Sequence, residues 1–177
     1  MKVFIIAAVT ADGFIARNED DKSFDWTSPE DKKFYVKKIK EADAIVMGRK
    51  SFETFTRYPR GSRWLIYTSK PEDFKNPKPS VIKAEGVNSS ARELLGKLKK
   101  EKSQQVAICG GSSIYTMFLN SGLVDKLFIT VEEDIKFGTG MPLFNDGTSL
   151  NEKRFKLIDI QQLAEQTRLL EYQVCLC

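Results

Sequence analysis

The chain has 177 residues, 41% of them apolar and 11% aromatic, with 28 Lys and Arg against 24 Asp and Glu, a net charge of +4. That length suits a single domain spanning 1–177 with a substantial core, and no apolar run approaches the roughly eighteen residues of a membrane span. Three cysteines, Cys109, Cys175 and Cys177, cannot close a disulfide framework, and the chain has no histidine, the commonest zinc ligand, so a metal-free protein of a reducing cytoplasm is expected.

Residues 2–9 are an apolar run followed by Thr10-Ala-Asp-Gly13, which has turn chemistry and no cleavage site; they read as a buried first strand, not a secretory segment. A glycine turn at Asp12-Gly13 leads through Phe14, Ile15 and Ala16 into a polar loop, Arg17 to Ser23, that is either a lid or a surface excursion. Thr27 or Ser28 then caps a helix over 29–40, with Pro29, Glu30 and Asp31 in its first turn. Asp31, Phe34 and Tyr35 share one face of it. An acid among aromatics either favours the helix dipole or, in a pocket wall, gains proton affinity and binds an amidine-like ligand edge. Lys32, Lys33, Lys37, Lys38 and Lys40 read as a solvated face.

A strand over 43–48 ends at Gly48 and passes Arg49, Lys50 and Ser51 into a helix over 51–57, bringing a guanidinium to a turn where phosphates bind well. Further strands are expected at 63–68, 80–84, 105–109 and 125–132, with helices at 89–100 and 112–121. Thr68, Ser69 and Lys70 leave the first of these strands as a second phosphate candidate or a plain turn. The most informative stretch runs from Val106 to Tyr115. Its strand stops at Gly110-Gly111, and Ser112 and Ser113 open a helix carrying Ile114, Tyr115, Phe118 and Leu119 at helical spacing. Glycine lets an anion lie against the backbone, and the unpartnered N–H groups of a first helical turn attract it. A small polyanion therefore fits the positive surplus better than nucleic acid, since the interleaved aromatics of single-strand binding modules are missing.

Alternating strands and helices predict an α/β fold of three layers around a mainly parallel twisted sheet. Residues 155–160 and 168–176, with no helix between them, predict an antiparallel C-terminal hairpin.

The order Ala7-Ala8, Trp26 to Asp31 to Tyr35, Met47-Gly-Arg-Lys-Ser51, Arg63, Ile108-Cys-Gly-Gly-Ser-Ser-Ile-Tyr115 and Asp125-Lys-Leu-Phe-Ile-Thr130 resembles dihydrofolate reductase and its superfamily over nearly the whole chain. The resemblance implies a monomer in preference to a homodimer, and NADPH-dependent reduction of dihydrofolate to tetrahydrofolate. It also implies that Asp31 grips the pterin, supported by Thr130, with Ala7, Ala8, Phe34, Tyr35, Phe55 and Cys109 lining the pterin pocket and Arg63 pairing with the folate glutamate. For NADPH it implies Ala8, Ile15, Gly48, Arg49, Lys50, Ser51, Thr68, Ser69 and Lys70, then the run Cys109, Gly110, Gly111, Ser112, Ser113, Ile114 and Tyr115, with a cis peptide between the glycines. Gly138-Thr-Gly-Met-Pro-Leu-Phe144 and Thr10-Ala-Asp-Gly-Phe-Ile15 are closer to the riboflavin-pathway pyrimidine reductases, and such a reductase is the alternative. Pro59 or Arg60 is expected where a leucine usually packs on the folate benzoyl ring.

Overall fold

In the computed structural model, which describes residues 1–55, 58–145 and 154–175, the alternation of β1 (Lys2–Thr10) divides the core in two. Val3, Ile5, Ala7 and Val9 face one hydrophobic cluster, while Phe4 and Ile6 face another. Successive side chains of a strand point to opposite faces, so a run apolar at every position has to be covered on both.

After β1 come β2 (Phe14–Ala16), α1 (Ser23–Trp26) and α2 (Pro29–Lys40). The central part comprises β3 (Ala44–Gly48), α3 (Arg49–Glu53), β4 (Arg63–Tyr67), β5 (Lys83–Val87), α4 (Ala91–Lys100), β6 (Gln105–Ile108) and α5 (Ser112–Asn120). The chain finishes with β7 (Lys126–Glu132), β8 (Met141–Pro142), β9 (Arg154–Ala164) and β10 (Thr167–Cys175). Eight strands form one sheet in the order β5-β4-β3-β6-β1-β7-β10-β9. Every pairing from β5 to β7 is parallel, and β10 joins β7 and β9 antiparallel. This is the expected α/β fold with its closing hairpin.

Ala91, Leu94, Leu95 and Leu98 of α4 lie at the spacing of one helical face and bury it against the first cluster together with Tyr115, Phe118 and Leu119 of α5. A reciprocal capping box between Ser90 and Glu93 sets where α4 begins, two residues after the expected start. Ile39 of α2 and Phe52 of α3 belong to the second cluster on the other face.

Three elements differ from expectation. The strand expected at 80–84 lies at Lys83–Val87, because Val81 and Ile82 sit in a turn closed by their N–H groups on the Lys78 carbonyl. Ile82 is buried from that turn, so its apolar character marked the core and not the strand. The helix expected over 51–57 starts at Arg49 and ends at Glu53; Thr56 and Arg57 lie outside the described residues, as does Leu176 of the expected last strand. Finally, the segment after β1 is more than a loop: β2 pairs with β8, and α1 runs from Ser23 to Trp26.

Candidate active site

The parallel strands β1, β3, β4 and β6 all end at the same edge of the sheet, and a cavity of about 560 Å³ opens there. In α/β sheets that carboxyl edge is where ligands bind. Ala7 and Ala8 of β1 line it, with Gly48 at the end of β3, Tyr67 to Ser69 at the end of β4 and Cys109 just beyond β6. Between Gly48 and the glycine pair the backbones are close: the Gly48 N–H donates to the Gly110 carbonyl at 2.7 Å. Gly110 has φ +110°, and a Cβ there would lie 3.0 Å from the Tyr115 hydroxyl. Only glycine combines that φ with that space. The Gly110–Gly111 peptide is cis. α5 then opens at Gly111 without a side-chain cap, and its first turn, Ser112 and Ser113, lines the cavity.

Asp31 sits on the floor. Ser28 caps α2, its hydroxyl accepting the Asp31 N–H at 3.1 Å, with Pro29 at the first helical position. This start aims the Asp31 side chain inward, and the residue is only 7% exposed. Burial pushes its carboxyl up to about 6, hydrogen bonds from Thr130 and Thr27 pull the other way, and the negative charge of Glu132 adds to the rise. Burial also holds the Tyr35 and Tyr115 hydroxyls well above the usual phenol range and pushes the Cys109 thiol up to about 12. These three buried groups around the acid are therefore uncharged. The Tyr115 hydroxyl donates to the Ile6 carbonyl at 2.8 Å.

An aromatic wall stands beside the acid. Phe24 of α1 meets Phe55 edge-on at 5.3 Å and Tyr35 at 5.7 Å between ring centroids, and all three rings line the cavity. The mouth is polar and charged. Arg49 and Lys50 line it, the first held by Glu53 at 2.8 Å and the second by Glu19 of the segment after β2.

Most residues singled out in the sequence meet at this cavity: the alanine pair, Ile15, Asp31, Tyr35, Phe55, the run from Gly48 to Ser51, Thr68, Ser69 and the run from Cys109 to Tyr115. Thr130, on β7, stands behind Asp31 with its hydroxyl on the carboxyl group. Four expectations need correction. Arg63 begins β4, at the far edge of the sheet about 13 Å from the end of its strand, and its guanidinium is held by Glu101 at 2.6 Å and Glu85 at 2.9 Å. It does not line the cavity. Phe34 packs on Phe128 with ring centroids 6.1 Å apart and stays out of the cavity wall. Lys70 is exposed beyond the wall, and Pro59 and Arg60 do not line it either. Phe24, Thr27 and Tyr67 were missed. Phe24 lies in a stretch that reads as polar loop, and only Thr27 carried a sequence signal, as a possible cap.

The chain belongs to the dihydrofolate reductase family, whose model matches residues 2–175. It is 27% identical to the uncharacterized protein YwjB of Bacillus subtilis over 95% of both chains. Among solved structures it is similar to the diaminohydroxyphosphoribosylaminopyrimidine deaminase/5-amino-6-(5-phosphoribosylamino)uracil reductase of Thermotoga maritima. The TM-score is 0.77 at 20% identity, over 98% of this chain and 56% of that one. It is also similar to the dihydrofolate reductase of Enterococcus faecalis in complex with NADP(H) and RAB-propyl, with a TM-score of 0.71 at 19% identity over 98% and 96% of the two chains. Among the described residues no helix is long and apolar enough to cross a membrane.

Proposed function

We propose that the protein is an NADPH-dependent reductase that reduces dihydrofolate to tetrahydrofolate in the cavity between Asp31 and the glycine pair. The observation that carries this reading is one nearly buried carboxyl group whose proton affinity lies near neutrality, beside an aromatic wall. Asp31 offers two oxygens to the amino group and ring nitrogen of an amidine-like edge, a paired geometry that a neutral side chain meets less strongly. With its midpoint near 6, the acid keeps a usable fraction of its proton at neutral pH, which suits a group that assists protonation of the ring. Thr27 and Thr130 fix the orientation of the carboxyl group, while Phe24, Tyr35 and Phe55 exclude water and bracket a flat ring.

The cavity fits the cofactor. Arg49, Lys50 and Ser51 would hold its phosphates together with the uncapped first turn of α5, and the glycine pair leaves room for a ring against the backbone. When bound, NADPH supplies the hydride.

One observation favours a second reading. Because Arg63 is held in its ion pairs at the far edge of the sheet, it does not anchor a glutamate tail, and a ribosylamino-pyrimidine phosphate of riboflavin synthesis needs no such anchor. Consumption of NADPH, followed by absorbance with dihydrofolate and separately with that pyrimidine, tests both. Turnover of dihydrofolate supports the first reading; turnover of the pyrimidine alone replaces it with the second.

A further inference from the structure

Glu132, the last residue of β7, is a carboxylate that the proposed chemistry leaves unused. It is 2% exposed, and among the described residues it makes no ion pair: Arg168, beside its partner Thr167, is held by Glu133 at 3.2 Å. A buried charge without a counter-ion is costly unless its oxygens are saturated by donors. Both oxygens are engaged. Oε1 accepts the backbone N–H of Ser28 at 2.7 Å, and Oε2 accepts the Thr167 hydroxyl at 2.6 Å.

Ser28 is the cap of α2, and its own N–H has no partner within the helix. A run of contacts thus leads from Thr167 on β10 through Glu132 and Ser28 to the Asp31 N–H. Thr130, two residues earlier on β7 and so on the same face of the strand, touches the Asp31 carboxyl directly. One face of β7 therefore meets the acid twice, once at its side chain and once through the cap of its helix.

We infer that Glu132 is a positioning residue for Asp31: its buried carboxylate ties the capped start of α2 to β7 and β10 and sets a second negative charge behind the acid. That charge favours the protonated form of Asp31, acting with desolvation, the larger cause, and against Lys32 on α2 and the hydrogen bonds from Thr27 and Thr130. The remaining titratable groups around Asp31 are Tyr35 on α2, Cys109 after β6 and Tyr115 on α5, whose burial keeps them protonated and neutral. Among the described residues, Glu132 is then the one further negative charge acting on Asp31 from a neighbouring element.

The inference deepens the role proposed for Asp31, but its test needs no substrate. Carbon-detected NMR titration of the Asp31 carboxyl, assigned by its loss in Asp31→Asn, gives the midpoint in the free protein. Glu132→Gln, which keeps the shape and removes the charge, is expected to lower that midpoint by roughly half to one pH unit, and Glu132→Asp, which keeps the charge, to leave it closer to the wild-type value. An unchanged midpoint in Glu132→Gln overturns the inference. Should that variant fail to fold, the wild-type protein decides: the Ser28 amide is expected to exchange with solvent at least tenfold more slowly than an open cap amide, and exchange at the open rate overturns the tie. If these results hold while Asp31→Asn still reduces dihydrofolate at the wild-type rate, the proposed function falls and the positioning role stands.

Discussion

The floor and the mouth of the cavity use charge in opposite ways. On the floor Asp31 is 7% exposed, and its carboxyl is pushed up to about 6. At the mouth the Arg49 and Lys50 side chains are 48% and 70% exposed and rest on acidic partners. Water screens the second pair, so each contact there is worth little until a ligand displaces the partner. On the floor, by contrast, a single group dominates because little solvent competes with it. The proposed function thus places proton transfer and ring recognition at the dry end and phosphate attraction at the wet end.

The largest expected effect tests the dry end. Asp31→Asn should lower kcat/KM for dihydrofolate at pH 7 by about 10²–10⁴-fold, and by less at low pH, where substrate arrives already protonated. A pH-independent loss would mean that the acid binds without helping protonation.

At the mouth, Arg49→Ala should weaken NADPH on the order of tenfold or more, as expected for hydrogen bonds to a charged group, with a much smaller change for NADH. Equal losses in fluorescence titrations would show that Arg49 does not read the extra phosphate. Raising ionic strength should reduce the effect of Arg49→Ala and leave that of Asp31→Asn intact, a direct measure of the difference between the two ends.

The buried acid should also cost stability. Its proton affinity is higher in the folded state, so its contribution is fully present below the ordinary value of 3.8 and is lost as pH rises through about 6. Asp31→Asn, which has no charge to bury, should therefore be more stable than wild type at pH 8 by roughly 1–3 kcal/mol in urea unfolding, with the gap closing by pH 4. A gap that stays constant over this range would assign the gain to something other than ionisation.

The smallest expected effect is that of Arg63→Ala. Removing the contacts with Glu85 and Glu101 should cost under about 1 kcal/mol of stability and leave the KM for dihydrofolate unchanged; a tenfold rise in KM would return this arginine to the substrate.

Much of the site was legible because it follows strand ends. Gly48, the glycine pair and the Ala7-Ala8 pair each terminate or nearly terminate an apolar run, and parallel strands bring their carboxyl ends to one edge. Arg63 misled because it opens its strand: the residue type suits a carboxylate ligand, but its place puts it at the opposite edge. Phe34 shares the helix face predicted for it, yet is drawn to Phe128 on β7. Phe24 escaped notice because nothing in a charged stretch announces a four-residue helix that folds only against Tyr35 and Phe55.

Local chemistry in the sequence was enough to determine the order of the eight sheet strands and of α2 to α5, the capped start of α2 and the glycine turn before α5, since apolar periodicity and capping act over a few residues. Tertiary structure alone decided which acids and cations face the cavity, and how strongly Asp31 holds its proton. Those properties depend on desolvation and on neighbours such as Glu132, 101 positions along the chain by the numbering, and no spacing rule reaches that far.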